Sequence, residues 1–294
     1  FNYKPKKNYK KLFNWTVKNP KLFWNSVWEF SNIIGIKNDK FHFPKEIIKS
    51  KFLVKSKLNY AENLLSKNDN TKAVTFISEN GYREEKSWSE LNNNTLKLIN
   101  FFKENKIREK DRIAAYTVNQ IETVESFLAT SALGAIWSSC SPDFGTQGVI
   151  ERFSQIRPKL LIITDRYYYN GKRINVIERL PAILKKIKSI KCVLITNYPG
   201  QKKLRQKKIK GVKIFYYKKL KNKKEKQFLF KKFDFDKELA ILYSSGTTGK
   251  PKCICHRAGG VLLQHLKEHK LHCNVKPGDN VFYFTTCGWM MWNW

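Results

Sequence analysis

The stretch Leu239-Ala240-Ile241-Leu242-Tyr243-Ser244-Ser245-Gly246-Thr247-Thr248-Gly249-Lys250-Pro251-Lys252 decides how this 294-residue chain is read. Its first five residues are a short apolar run of the kind that forms a buried strand. Small hydroxyl residues and glycines follow, closed by two lysines. Gly246 and Gly249 let the backbone approach an anion closely and adopt positive φ. Exposed N–H groups of such a loop form an anion nest. Ser244, Ser245, Thr247 and Thr248 add hydroxyl donors, and Lys250 and Lys252 add charge. A hydrogen bond to a charged group is worth roughly 1.5–3 kcal/mol, so several together hold a triphosphate. The pattern is not a Walker A loop, because two residues separate its glycines and Pro251 follows Lys250. Nor is it the G-x-G-x-x-G of a dinucleotide fold. A plain Ser/Thr/Gly turn with surface lysines is the bland alternative. The apolar strand directly before the loop argues against it.

Working outward, the chain alternates strand-like and helical patterns. Ala73–Ile77, Arg112–Tyr116, Ala135–Trp137, Leu160–Thr164 and Cys192–Ile195 read as strands. Ser89–Asn105 reads as a helix with Leu91, Leu98, Ile99 and Phe102 on one face, and Gln120–Leu133 as a helix closed by Gly134. Strands separated by helices imply a parallel α/β sheet covered on both faces. Residues 1–70 differ. They hold aromatic amphipathic segments, with Leu22, Phe23, Val27, Trp28 and Phe30 near helical spacing after an Asn19-Pro20 start.

Composition bounds the alternatives. With 41% hydrophobic and 14% aromatic residues the chain is not disordered. Its length suits one large domain or two smaller ones. The net charge of +33, from 57 Lys+Arg against 24 Asp+Glu, raises nucleic acid as a partner. The excess is mostly Lys, accompanied by Asn and Ile, which a codon bias produces without function. Arg, the usual residue for bidentate base and phosphate contacts, is scarce. Residues 201–232 carry 15 Lys/Arg and one Glu, and include the strand-like Val212–Tyr217. They read as a solvated surface excursion rather than a nucleic-acid or acidic-lipid patch. Cys140, Cys192 and Cys287 lie in or beside apolar stretches, as reduced cytosolic thiols do. Phe1–Lys11 has no apolar signal core, and Phe127–Cys140 is shorter than the ~18 residues of a membrane span. The chain therefore reads as a cytoplasmic protein with neither a membrane nor a nucleic-acid partner. Cys253-x-Cys255 with His265-x-x-x-His269 resembles a zinc pattern, but its spacing is not that of a finger, and no metal site is expected. The start at Phe1 and the apolar end Gly288–Trp294 read as cuts, with the natural frame continuing past Trp294.

The motif YSSGTTGKPK (243–252) resembles the phosphate-loop signature of the adenylate-forming superfamily, which includes acyl-CoA synthetases, luciferases and peptide-synthetase adenylation domains. LNYAENLL (58–65), SSCSPDFGTQGVIERFSQIRPK (138–159), CHRAGGVLLQHLKEHKLHC (255–273) and VKPGDNVFYFTTCGWMMWNW (275–294) resemble its acetoacetate-activating branch. Phe23–Asn63 resembles the N-terminal extension of the acetate-activating group. The resemblance implies the α/β fold of the large N-terminal adenylate-forming domain, incomplete, with an N-terminal helical extension. The extension would span 1–70 and the AMP-binding domain, truncated at its C-terminus, 71–294.

It also implies a ligase. Acetoacetate would attack the α-phosphorus of ATP, with Mg2+, to give an acyl-adenylate and pyrophosphate. Coenzyme A would then take the acyl group and release AMP. Ser244, Ser245, Gly246, Thr247, Thr248 and Gly249 would grip the β- and γ-phosphates, with Lys250 and Lys252 nearby. Gly288-Trp289 matches the family's Gly-Trp turn beside the acyl and CoA pockets. Acetate-using relatives usually carry Thr two positions after that Trp, where this chain has Met291, so that contact does not carry over. Met290, Met291 and Trp292 are pocket candidates, with core packing as their alternative. Lys172 and Arg173, in Asn170-Gly171-Lys172-Arg173, lie where related synthetases bind the CoA phosphates. The adenine-binding motifs and the catalytic lysine would follow Trp294. No catalytic residue is therefore assigned, and these residues alone are expected to make no acyl-CoA. The competing readings are another short-chain acyl-CoA synthetase and, from another class, a basic nucleic-acid or zinc-binding module.

Overall fold

The computed structural model describes residues 8–202, 204, 209–220, 227–244, 249 and 251–294. They form two compact units: Phe1–Asn59, Lys232–Lys237 and Arg257–Phe282 in the smaller, Tyr60–Lys231, Glu238–His256 and Tyr283–Trp294 in the larger.

The smaller unit begins with helix α1 (Tyr9–Lys18), whose first turn is capped by the Asn8 side chain accepting from the Lys11 amide at 3.2 Å. Helix α2 (Pro20–Phe30) starts on Pro20, where a missing N–H leaves nothing unsatisfied. Of its apolar stripe, Val27 and Trp28 are buried, whereas Leu22 and Phe30 are exposed. Strands β1 (Gly35–Ile36) and β2 (Lys57–Leu58) pair antiparallel, and β12 (Phe233–Asp234) adds to the other edge of β2. Helix α9 (Ala258–Lys267) completes the unit. Trp28 faces Phe235 at 6.4 Å between ring centroids. Gly259 admits that ring, since a Cβ there would stand 2.2 Å from Phe235 Cδ2.

The larger unit starts with α3 (Tyr60–Leu64) and an antiparallel hairpin, β3 (Lys72–Ile77) with β4 (Arg83–Ser87). The strand expected at 73–77 thus exists but stands outside the main sheet. Only Phe76 in it is buried, whereas a strand covered on both faces must be apolar throughout. Helix α4 (Trp88–Glu104) opens with a capping box: Ser87 Oγ accepts from the Glu90 amide at 3.2 Å, and Glu90 Oε2 from the Ser87 amide at 2.9 Å. Leu91, Leu98, Ile99 and Phe102 are buried as their spacing requires.

There follow β5 (Arg112–Tyr116), α5 (Ile121–Ala132), β6 (Ile136–Cys140), α6 (Gly145–Ile156) and β7 (Leu160–Thr164). A second hairpin, β8 (Arg166–Tyr169) with β9 (Lys172–Asn175), precedes α7 (Leu180–Lys186), β10 (Cys192–Thr196), β11 (Lys213–Tyr216) and α8 (Tyr217–Leu220). Then come β13 (Glu238–Tyr243), β14 (Cys253–Arg257) and α10 (Met290–Asn293). One seven-stranded sheet runs β11-β10-β7-β5-β6-β13-β14, and β11 through β13 in that order are parallel neighbours. Every residue of β6, β7 and β10 is buried. Val149 and Phe153 of α6 and Leu180 and Ile183 of α7 pack with Ala114, Leu161 and Val193 on one face. Phe101 of α4 meets Phe215 of β11, and Phe127 of α5 meets Trp137 of β6. The sheet is covered on both faces, as the alternating pattern requires. Among the described residues no helix is long and apolar enough to cross a membrane.

Candidate functional site

In open parallel sheets, ligands bind beyond the carboxyl ends of the strands. Here β5, β6 and β13 end side by side at Tyr116, Cys140 and Tyr243, and the Ser/Thr/Gly loop springs from the last of these. Ser245, Gly246, Thr247, Thr248 and Lys250 lie outside the described residues. The base of the loop is closed. The Ser244 amide donates to the Lys252 carbonyl at 3.0 Å, and the Lys252 amide to Ser244 Oγ at 3.1 Å. Gly249 has φ +89°, with open space where a Cβ would point. Gln155 Nε2 of α6 donates to the Pro251 carbonyl at 3.0 Å and steadies the far end.

Residues 285–288 lie along the ends of β5 and β6. Asn119 Nδ2 donates to the Thr285 carbonyl at 2.6 Å, Ser139 Oγ to the Cys287 carbonyl at 2.5 Å, and Cys287 Sγ contacts Asn119 Oδ1 at 3.2 Å. Gly288 then sits against Phe144: a Cβ at Gly288 would be 2.7 Å from Phe144 Cε2 and 3.2 Å from the Ser141 amide nitrogen. The turn bearing Phe144 is pinned by Arg179, whose Nη1 donates to the Pro142 carbonyl at 2.7 Å and also reaches the Tyr116 hydroxyl. Trp289 is 59% exposed beside this turn, and Met291 is half-buried. Trp292 stacks on Trp137, with ring centroids 6.3 Å apart, and meets Phe127 edge-on. These contacts give it a packing role. Burial pushes the Cys140 thiol up to about 12, and the Cys287 thiol is raised for the same reason. Both stay protonated near neutral pH and offer no nucleophile.

Lys172 and Arg173 are exposed on β9, directly after the Asn170-Gly171 turn. Both turn residues have positive φ, 50° and 70°, as a two-residue hairpin demands. Their amides donate to the Glu79 carboxylate. An anion at this hairpin would thus meet the Lys172 and Arg173 side chains rather than the turn amides.

Cys253 and Cys255 are exposed on β14 in the larger unit; His265 and His269 belong to the smaller. Among the described residues no group of three or more His, Cys, Asp or Glu could hold a metal ion. Asn119 and Arg179 shape the site yet stand in no motif, whereas Ser139, Phe144 and Arg152 lie within the 138–159 motif without being singled out by it. For the two arginines the available signal was compositional: ten of the 57 basic residues are Arg, so each is a candidate for a position that uses the planar fork.

Residues 62–293 match the family described as AMP-binding enzyme. The chain is 41% identical to the acetoacetyl-coenzyme A synthetase of Rhizobium meliloti, over 98% of this chain and 44% of that protein. It is 38% identical to the acetoacetyl-CoA synthetase of Gallus gallus over the same shares, and 33% identical to a malonamoyl-CoA synthetase of Penicillium aethiopicum over 98% and 42%. Among solved structures it matches an acetoacetyl-CoA synthetase from Streptomyces lividans with TM-score 0.88 and 30% identity, covering 98% of this chain and 44% of that one. The chain thus spans less than half the length of these relatives.

Proposed function

The chain belongs to the AMP-binding enzyme family, and from that premise we propose that it supplies the ATP-phosphate site and part of the acyl pocket of an acetoacetate–CoA ligase. The observation that carries this reading is a juxtaposition. The loop of 244–252 opens at the carboxyl end of β13, next to the strand ends on which residues 285–288 are laid. An anion held on the loop would face an acid held beside Gly288 and Trp289.

The chemistry follows from what a carboxylate lacks. Its oxygen is a poor leaving group, so an oxygen of the acid attacks the α-phosphorus of ATP and pyrophosphate departs with the bridging oxygen. The CoA sulfur then attacks the acyl carbon, and AMP carries away the electron pair. This chain's part is to bind and align. Ser244, Ser245, Gly246, Thr247, Thr248 and Gly249 take the β- and γ-phosphates, while Lys250 and Lys252 balance charge that moves onto pyrophosphate. Mg2+ enters with the triphosphate. Gly288, Trp289 and Met291 border the acid, and Lys172 and Arg173 offer the exposed charge for CoA phosphates. Residues 1–70 form the extension and 71–294 the AMP-binding domain. Buried reduced thiols suit a cytoplasmic enzyme.

The acid class has its own support. The relatives are named for acetoacetate and malonamate. Both acids carry a carbonyl two carbons from the carboxyl carbon and differ by CH3 against NH2, so one pocket shape accommodates either.

The complete protein with Lys252→Ala or Gly249→Val should lose at least about tenfold in acetoacetate-dependent ATP–pyrophosphate exchange, each without unfolding. Lys252→Ala removes charge. Gly249→Val forces a β-branched residue to φ +89° and puts a Cβ where the anion approaches. Undiminished exchange in both would remove the loop from the reaction, and a stronger response to acetate than to acetoacetate would reassign the acid.

A further inference from the structure

Arg152 has a setting that no role above uses. It is half-buried on α6, next to the core residue Phe153. Its guanidinium carbon lies 4.1 Å from the centroid of the Phe144 ring and 5.9 Å from that of Tyr243. Nη1 donates to the Gly148 carbonyl at 3.0 Å. Among the described residues this is its one hydrogen-bond acceptor, and no described carboxylate pairs with it. A guanidinium has five donors, and a partly buried cation with one acceptor is costly unless something else stabilises it. The two aromatic faces do so through their quadrupoles.

Each ring leads to a different part of the site. Phe144 is the ring against which Gly288 is packed. Tyr243 ends β13, immediately before the loop, and its hydroxyl is hydrogen-bonded to Ser138 Oγ at 3.1 Å. One turn further along α6, Gln155 holds the other end of the loop through Pro251. Arg152 therefore stands between the mouth of the loop and the Gly288 turn.

We propose that Arg152 is a positioning residue that couples the ATP-phosphate loop to the Gly288–Trp289 turn by fixing the Phe144 and Tyr243 rings against one another. The inference rests on the function proposed above. Adenylation requires the acid oxygen and the α-phosphorus to meet in line, and misplacement by about 1 Å can cost a hundredfold in rate. A residue that sets the distance between the two binding elements acts on both substrates at once, whereas a phosphate ligand acts on one.

The test uses the complete protein and follows kcat, both KM values and Tm in ATP–pyrophosphate exchange. Arg152→Gln should lower kcat about tenfold and raise KM for ATP and for the acid together, with Tm shifted by only a few degrees. Arg152→Lys keeps the charge without the planar face and should recover only part of the loss. Lys252→Ala should lower kcat and raise KM for ATP while leaving KM for the acid unchanged. Should Arg152→Gln fail to fold, Phe144→Leu keeps the apolar contact at Gly288, removes the π face, and should give the same two-sided signature. A one-sided change in KM, or unchanged kinetics, would overturn the coupling. So would full recovery in Arg152→Lys. If the wild type exchanges with another short acid, the acetoacetate reading fails and the same measurements are made with that acid. If it binds ATP yet exchanges with none, the coupling is read from the part of the ATP-induced quenching of tryptophan fluorescence that Trp289→Phe abolishes. That quenching should be lost in Arg152→Gln, and its persistence would overturn the proposal.

Discussion

Gly288 is held so closely that its missing side chain is part of the packing. A methyl group would stand 2.7 Å from Phe144 Cε2 and 3.2 Å from the Ser141 amide nitrogen. The backbone amide cannot swing aside, and the Phe144 ring is held by Arg152 on its face. Gly288→Ala should therefore destabilise the larger unit by about 1–3 kcal/mol, the usual cost of overpacking, and reduce exchange beyond what the lost stability explains. Chemical denaturation beside the exchange assay checks this, and an alanine variant as stable and active as wild type would refute the close fit. Gly288 could be picked out from the sequence because it stands in a motif. Phe144 and Arg152, which give it its tightness, also lie in a motif (138–159), but their individual roles were not legible there, because they rest on through-space contact with residues more than 90 positions away in the chain. Burial was more legible, since Cys140, Cys192 and Cys287 are enclosed as their apolar neighbours suggested.

Elements were legible where one local rule dominated. Leu160–Ile163 is apolar at every position and, with Thr164, is a central strand with the bounds expected. Gly134 ends the α5 region at φ +65°. The capping box at Ser87 and Glu90 is another local rule, written in the Ser-x-x-Glu spacing. Its value is testable, since Ser87→Ala removes the acceptor for the Glu90 amide and should cost about 1 kcal/mol. Urea unfolding followed by helical circular dichroism is the measurement; a loss below a few tenths would mean that the cap is replaced by solvent. Partner choice was not legible. Ala73–Ile77 has strand character, but nothing local says that it pairs with Arg83–Ser87 instead of entering the main sheet. The smaller unit poses the same problem on a larger scale. It gathers Lys232–Lys237 and Arg257–Phe282 from far down the chain, and β12 pairs with β2 across about 175 residues. Such pairings depend on long-range burial, which periodicity does not encode.

For the whole molecule, the charge of +33 invites a nucleic-acid partner, and the preponderance of Lys over Arg argues for sequence-independent binding at most. Four of the ten arginines hold backbone carbonyls of the fold. Arg112 donates to the Ile156 carbonyl, Arg166 to the Lys202 carbonyl, Arg179 to the Pro142 carbonyl and Arg152 to that of Gly148. These four are committed to the fold and the site; Arg83, Arg108, Arg157, Arg173 and Arg257 are exposed, but most of the remaining positive charge is lysine, which lacks the planar fork that reads a guanine edge. Binding to DNA should then rest on counterion release alone. Its logarithm should fall linearly with the logarithm of salt concentration, and a footprint of six to ten phosphates would lose about 10^3–10^5 in affinity between 50 and 200 mM salt. Affinities for unrelated duplexes should coincide at every salt concentration. ATP should weaken binding no more than a simple salt of equal ionic strength, because a diffuse lysine surface offers no specific nucleotide site. Fluorescence anisotropy with two duplexes of different sequence, titrated across that salt range with and without ATP, reads all three quantities. A duplex preferred over the other at physiological salt would mean that base edges are being read, and the lysine excess would then have to be treated as a built interface rather than as background.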